Sequence, residues 1–484
     1  MIALNRRMSL SLYGDVAAPR YDVRSVKPGI VHIGMGGFHR SHFARYVHDL
    51  MEIDPAALSW GIIGSGLRES DVPLLRALER QDGLYTLVER DSEGETKSVI
   101  GSILRVVDAS ASTSDLLADI LRPEIRIVSI TVSEAGYHLD PATKKLALDA
   151  AAIRHDIANP RAPRTMPGVL VEAFRQRRDL GISPFTALSC DNIQHNGRVL
   201  RDAVLALAEQ IDTGLATWIS RNAKFPSSMV DRITPIPTRE EIEALSIRTG
   251  IADDAAVFSE RFRQWVVEDD FTAGRPDWSR VGAQFVSDVA PYESMKLRLL
   301  NGSHLAIAGL GALLGYETVE QTMLDDGVGR YMRRLMDEEI GPLLDPVPGI
   351  DLARYKATLI ARFANPAIRD TVRRINTDAP INLLLDPLRD ALDANAPISL
   401  LALGLAAWCR RVWDAARRDE RLAGANADAE LRRLALDGGT DPAALLTVAS
   451  VFGSLGSSTR LMESFSAWLG VLKTGGVRSA LRRI

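Results

Sequence analysis

The chain holds only two cysteines in 484 residues, Cys190 and Cys409, far apart and outside any CxxC pattern. Neither a disulfide framework nor a cysteine zinc site is expected from that. No apolar run reaches the roughly 18 residues of a membrane-spanning helix. The longest candidate, Leu305 to Tyr316, is short and adjoins Asn301, Ser303 and His304. Basic runs are also missing and the formal net charge is −4, so nucleic acid and anionic membrane are not expected partners. Lysine is scarce, with eight among 58 cationic residues. Arg6-Arg7 before Met8-Ser9-Leu10 faintly resembles a twin-arginine export signal. Tyr13-Gly14-Asp15, Arg20, Asp22 and Arg24 interrupt the apolar stretch such a signal needs, so the expected place is the cytoplasm.

What is present is a globular composition, 46% hydrophobic and 25% charged, at a length that calls for two domains or three. The first half alternates short apolar runs with helical patterns. Ile30 to Ile33, Trp60 to Gly64, Tyr85 to Val88, Ile103 to Val107, Ile125 to Val132 and Phe185 to Ser189 read as strands. Phe38 to Met51 reads as one helix with Phe43, Tyr46, Val47 and Leu50 on one side. A parallel α/β sheet is the economical reading. From about Pro291 nearly every segment has helical periodicity. The boundary is set near residue 285, giving a dinucleotide-binding domain over 1–285 and a mainly helical domain over 286–484.

Gly34-Met35-Gly36-Gly37 follows the first strand and opens the helix that contains Phe38. Glycines there let the backbone approach a pyrophosphate at the helix N-terminus. The match to G-x-G-x-x-G is imperfect, since His39 stands at the third glycine. The second strand ends before Arg68-Glu69-Ser70-Asp71. An acid there, Asp71 or Glu69, would accept the ribose hydroxyls of NAD and repel the 2′-phosphate of NADP, whereas Arg68 could hold that phosphate. A solvated charged loop is the alternative. His39 and His42, three apart, could ligate metal, but no third ligand has recognisable spacing, so no metal is expected.

Lys296 opens a helical pattern containing Asn301 and His304. At roughly 100° per residue the three fall at about 0°, 140° and 80°, on one polar side. Arginine does not deprotonate usefully, whereas a buried lysine can have its pKa lowered and act as a base. A lysine in an apolar helix of an arginine-preferring chain is suggestive, with a snorkelling lysine as the alternative. Asp191-Asn192 and Glu134 each follow a strand, where ligands of open α/β sheets bind. Either can instead be a cap or a turn residue.

Together these segments resemble the long-chain polyol dehydrogenase family, which contains mannitol 2-dehydrogenase and fructuronate reductase. The stretches that carry the likeness are His32 to His42, Ile125 to Tyr137, Ser189 to Asn192, Met229 to Pro235, Gln264 to Asp269, Gly274 to Trp278 and Lys296 to His304. The resemblance implies a metal-independent NAD-dependent dehydrogenase, with a Rossmann-type domain, a helical domain and substrate held in the cleft between them. It implies Lys296 as general base, Asn192 and Asn301 as an oxyanion site, His304 on the substrate oxygens and Glu134 gating a proton path to water. Asp231 and Arg374 match substrate-binding positions. Asn382 stands where the family has lysine, and the glycine and serine of its D-G-S-x-K pattern are missing, which leaves the substrate open. Oxidation of mannitol to fructose is the leading expectation. Arabinitol or sorbitol oxidation and fructuronate reduction are alternatives, and a non-catalytic NAD sensor is a third class. A monomer is expected.

Overall fold

The computed structural model describes residues 1–6, 15–141, 143–418, 420, 428–437 and 441–484. The arginine pair and the segment after it fall largely outside the described residues. The chain divides into two compact units, Met1–Ala290 and Pro291–Ile484.

The first unit is built on five parallel strands: β1 (Pro28–Ile33), β2 (Gly61–Gly66), β5 (Ile103–Asp108), β6 (Ile127–Ile130) and β7 (Thr186–Ser189). Their order is β5-β2-β1-β6-β7, the central part of a doubly wound sheet. Alternation in the buried strands sends each side chain to one of two cores. Val31, Ile33, Ile63, Val128 and Ile130 pack with helices α4 (Ser114–Ile120), α5 (Met166–Leu180) and α6 (Asn196–Ile211). Ile30, Ile62, Ile127 and Leu188 pack with α2 (Phe43–Ile53) and α3 (Val72–Arg80). Both faces are covered, which is why these strands read as continuous apolar runs.

Two expectations change here. Tyr85 to Val88 belongs to β3 (Tyr85–Asp91), which leaves the parallel sheet. It pairs antiparallel with β4 (Gly94–Ile100) across Ser92-Glu93, Asp91 facing Gly94. β4 carries Glu95 and Lys97, so its charge hid it from a hydrophobicity pattern. β9 (Val257–Glu260) and Val16–Ala17 complete that second sheet. The expected helix from Phe38 is also broken. α1 (Gly37–Ser41) stops at His42, whose φ −111 and ψ −81 are not helical, and α2 begins at Phe43. A third sheet orders β8 (Ser228–Asp231), β10 (Gln264–Glu268) and β11 (Gln284–Val286).

No strand occurs among the described residues of the second unit. Its helices include α7 (Ala290–Leu314), α8 (Val372–Asp378), α9 (Asn382–Asp393), α10 (Ser399–Arg417) and α11 (Thr459–Leu481). α7 has the length and apolarity of a membrane span, contrary to the expectation from the sequence. However, 61% of its apolar window is buried within the protein, as in a core helix. Leu305, Ile307 and Leu310 are fully buried, and α10 and α11 pack against α7.

Candidate active site

The glycine loop is fixed by steric necessity. Gly34 has φ +105, and a Cβ there would stand 2.0 Å from the Thr131 carbonyl oxygen. Only glycine fits, because the Gly34 amide donates to Ser65 O (2.8 Å) and the Thr131 hydroxyl donates to Gly34 O (2.6 Å). A Cβ at Gly36 would meet nothing within 4 Å, so the exposed backbone there is open to a bulky group. Gly37 and half-buried Phe38 begin α1, and the Phe38 ring stacks on His42 at 4.9 Å. With α1 only five residues long, this loop offers an anion nearby N–H groups rather than a long helix dipole.

Asp71, not Glu69, stands at the end of β2. A Cβ on Gly66 would touch the Asp71 side chain at 2.6 Å, while Glu69 is exposed. Arg68 and Asp71 form a pair: the guanidinium donates to Oδ1 (2.9 Å) and the Arg68 amide to Oδ2 (3.2 Å). The acid and the cation that sequence reading set against each other are therefore one unit. The cradle and the carboxylate at the β2 end fit a dinucleotide with free ribose hydroxyls.

His39 and His42 are fully buried, and neither is grouped with a metal site. Among the described residues no cluster of three His, Cys, Asp or Glu is placed to hold a metal. His39 stacks on His32 at 3.4 Å. Burial depresses all three imidazoles, His32 and His42 to about 3.

Glu134 and Asn192 are both exposed, on loops after β6 and β7. Glu134 is ion-paired with Lys144 at 2.9 Å. Asp191 is a structural anchor that joins these loops. Its carboxylate accepts from the amides of Val132 (3.1 Å) and Ser133 (2.7 Å) and from the Tyr137 hydroxyl (2.8 Å). Burial raises its pKa against those bonds. Sequence reading missed Asn196, whose buried amide donates to Asp191 O and Ser228 O, both at 2.8 Å, tying the Asn192 loop to β8. Asp231 is buried at the end of β8.

In the second unit Lys296 is only 6% exposed. Residues Lys296–Gly302 are π-helical, not α-helical. The expected angles therefore fail. With i→i+5 bonding, residues five apart lie almost one above the other, so Lys296 and Asn301 share a face instead of standing about 140° apart. Such turns are rare and often found at functional sites, although a second one, Leu335–Ile340, lies elsewhere in the same unit. Gly302 permits a close approach: a Cβ there would lie 2.8 Å from Leu383 O, at the start of α9. Asn301 and exposed Asn382 flank that contact. Arg298 is ion-paired with Asp390 on α9.

His304 is largely buried against Phe363, ring centroids 5.0 Å apart. Its Nε2 lies 3.7 Å from Asp370 Oδ2. Asp370 also takes a forked bond from Arg374, Nε to Oδ1 at 2.7 Å, and raises the Arg374 guanidinium further. Asp370 was not anticipated, although its place four residues before Arg374 is a readable ion-pair spacing.

The mannitol dehydrogenase Rossmann-domain family model matches residues 28–280, and the mannitol dehydrogenase C-terminal-domain model matches 288–472. The chain is 43% identical to the D-mannonate oxidoreductase of Escherichia coli over 400 residues, 82% of each protein. A Pseudomonas fluorescens mannitol 2-dehydrogenase, solved as a ternary complex with NAD and D-mannitol, is 38% identical. It matches 100% of this chain and 99% of its own, with a TM-score of 0.87. A substrate-free D-sorbitol dehydrogenase is 34% identical with a TM-score of 0.90, covering 99% of this chain and 100% of its own. The chain belongs to the mannitol dehydrogenase family, with that family's Rossmann domain followed by its helical C-terminal domain.

Proposed function

We propose that the protein oxidises a sugar alcohol to a ketose with NAD, mannitol to fructose being the leading substrate pair. Bound NAD supplies the hydride acceptor. Everything else required is charge management around one carbinol. As hydride departs, negative charge grows on the substrate oxygen, and that charge must be met without solvent rearrangement. Asn301 on the π turn and Asn192 after β7 donate amide N–H groups to the oxygen. Lys296 takes the hydroxyl proton as its neutral amine, and the π turn that carries both Lys296 and Asn301 supports that pairing. Asp231, His304, Arg374 and Asn382 hold the remaining hydroxyls. Glu134, ion-paired with Lys144, is the carboxylate we assign to the proton's exit to water.

The observation that carries this reading is a buried lysine on a π-helical turn shared with Asn301. Replacement Lys296→Met tests it. NAD affinity should stay within a few-fold, since the glycine loop and Asp71 belong to the first unit, while turnover should fall at least a thousandfold. Retention of a tenth of wild-type turnover at neutral pH would remove Lys296 as base. Oxidation by the wild type should rise with pH, because only neutral lysine accepts a proton.

A second reading, reduction of a hexuronate such as fructuronate, is favoured by the E. coli D-mannonate oxidoreductase likeness and by the exposed Arg374. Asn382 in place of the family lysine weighs against it. We further propose a cytoplasmic monomer; light scattering checks the monomer, for which a solution mass of one chain, 52.9 kDa, is expected.

A further inference from the structure

Resting on the polyol reading above, we propose that Asp370 is a specificity-determining carboxylate. It locks Arg374 and cancels its charge, so that the site selects a neutral polyol over a hexonate. Asp370 touches neither cofactor nor reacting carbon in this account. It acts through Arg374, the side chain it holds.

Its own position is fixed from both sides. The Asp370 carbonyl accepts from the Val319 amide (3.0 Å), and its amide donates to Ile368 O (2.9 Å). An antiparallel bridge pairs the next residue, Thr371, with Thr318. Thr371 then caps α8 through its hydroxyl, which accepts from the Arg374 amide at 3.2 Å. The carboxylate is thus presented from a rigid corner and is only 8% exposed.

What it holds is chemically uneven. Both carboxylate oxygens receive the Arg374 fork, the geometry in which arginine binds a carboxylate best. The Arg374 side chain remains 56% exposed, so it is reachable while already paired. The Oδ2 atom that shares this fork also faces His304 Nε2 at 3.7 Å. One anion therefore fixes Arg374 and faces His304, two groups that the polyol reading assigns to substrate. A hexonate carboxylate needs a forked cation, and it would have to displace Asp370 or share Arg374 with it. A polyol hydroxyl meets no such competition, because it can both donate to the carboxylate and accept from the guanidinium.

The test compares kcat and KM for mannitol and mannonate in wild type, Asp370→Asn and Asp370→Glu, with NAD saturating. For Asp370→Asn, the mannonate-to-mannitol ratio of kcat/KM should rise about ten- to a hundredfold, the range for freeing one charged hydrogen-bond partner. The mannitol loss should fall mainly on KM, and Asp370→Glu should restore most mannitol activity without the shift. Adding Arg374→Met to Asp370→Asn should abolish the gain for mannonate, since the freed guanidinium is its source. Equal losses on both substrates, or a gain that survives Arg374→Met, would overturn the proposal. If Asp370→Asn does not fold by thermal melting, wild type and Arg374→Met decide alone. A binding contribution of Arg374 to mannonate exceeding that to mannitol by more than tenfold would show the cation uncancelled and reject the idea, and a smaller excess supports it. Wild-type activity on neither substrate would instead reject the underlying polyol reading.

Discussion

Replacing Asp71 by alanine should turn a NAD-preferring enzyme into one that accepts NADP. The carboxylate stands at the end of β2 against Gly66, where the adenosine ribose of a Rossmann cofactor is read. Two effects add. At about 4 to 5 Å, a unit charge pair costs on the order of 1 kcal/mol at a water-like dielectric and about 4 kcal/mol at an effective value of 20. Asp71 is half-buried, so we take roughly 1–2 kcal/mol of repulsion toward a 2′-phosphate. Its removal also frees Arg68, now bonded to Asp71 at 2.9 Å, to donate to that phosphate. An exposed charged hydrogen bond adds about 1 kcal/mol after screening. The sum, about 2–3 kcal/mol, is a thirty- to hundred-and-fiftyfold change in the NADP-to-NAD ratio of kcat/KM. Initial rates with both cofactors at fixed polyol and low salt measure it. A ratio that moves less than threefold, or a wild type that already favours NADP, would refute the placement of Asp71 on the ribose.

Other expectations follow from particular contacts. Asn382→Lys should shift kcat/KM toward mannonate by about tenfold by restoring a cation, and an unchanged ratio in steady-state assays would place residue 382 outside the substrate site. Gly302→Ala should lower the thermal midpoint by an amount equivalent to about 1–3 kcal/mol and reduce kcat, because the new Cβ lies 2.8 Å from Leu383 O. A stabilised variant would mean that helix propensity outweighs that contact. Acid should destabilise the fold early. His32 and His42 are depressed to about 3, so between that pH and about 6.5 the unfolded chain binds protons that the folded one does not. Stability is complete above pH 6.5 and falls below it by up to about 1.4 kcal/mol per histidine per pH unit. Urea midpoints at pH 7.5 and 5.0 check this, and a midpoint that holds or rises in acid contradicts it.

The parallel sheet was legible because its strands are buried on both faces and so appear as apolar runs, as in Ile30 to Ile33. β4 was not, since Glu95 and Lys97 break the pattern that hydrophobicity would need. The break at His42 could not be read, because the helical spacing of Phe43, Tyr46, Val47 and Leu50 begins only after it. The grouping of Lys296, Asn301 and His304 rested on α-helical spacing, and the π turn departs from it because no residue pattern distinguishes i→i+5 from i→i+4 bonding. Asp71 and Arg68 looked like rivals in one dimension and prove to be partners. Asp191 and Asn196 work by holding chain segments that only the fold brings together, whereas Asp370 was missed although its main partner, Arg374, stands only four residues on.

The most direct measurement is the initial rate of NAD reduction over a panel of mannitol, sorbitol, arabinitol and mannonate at neutral and alkaline pH. The polyol account predicts that a neutral polyol, mannitol first, gives the highest kcat/KM and that its rate rises with pH. Mannonate ahead of every polyol would contradict it.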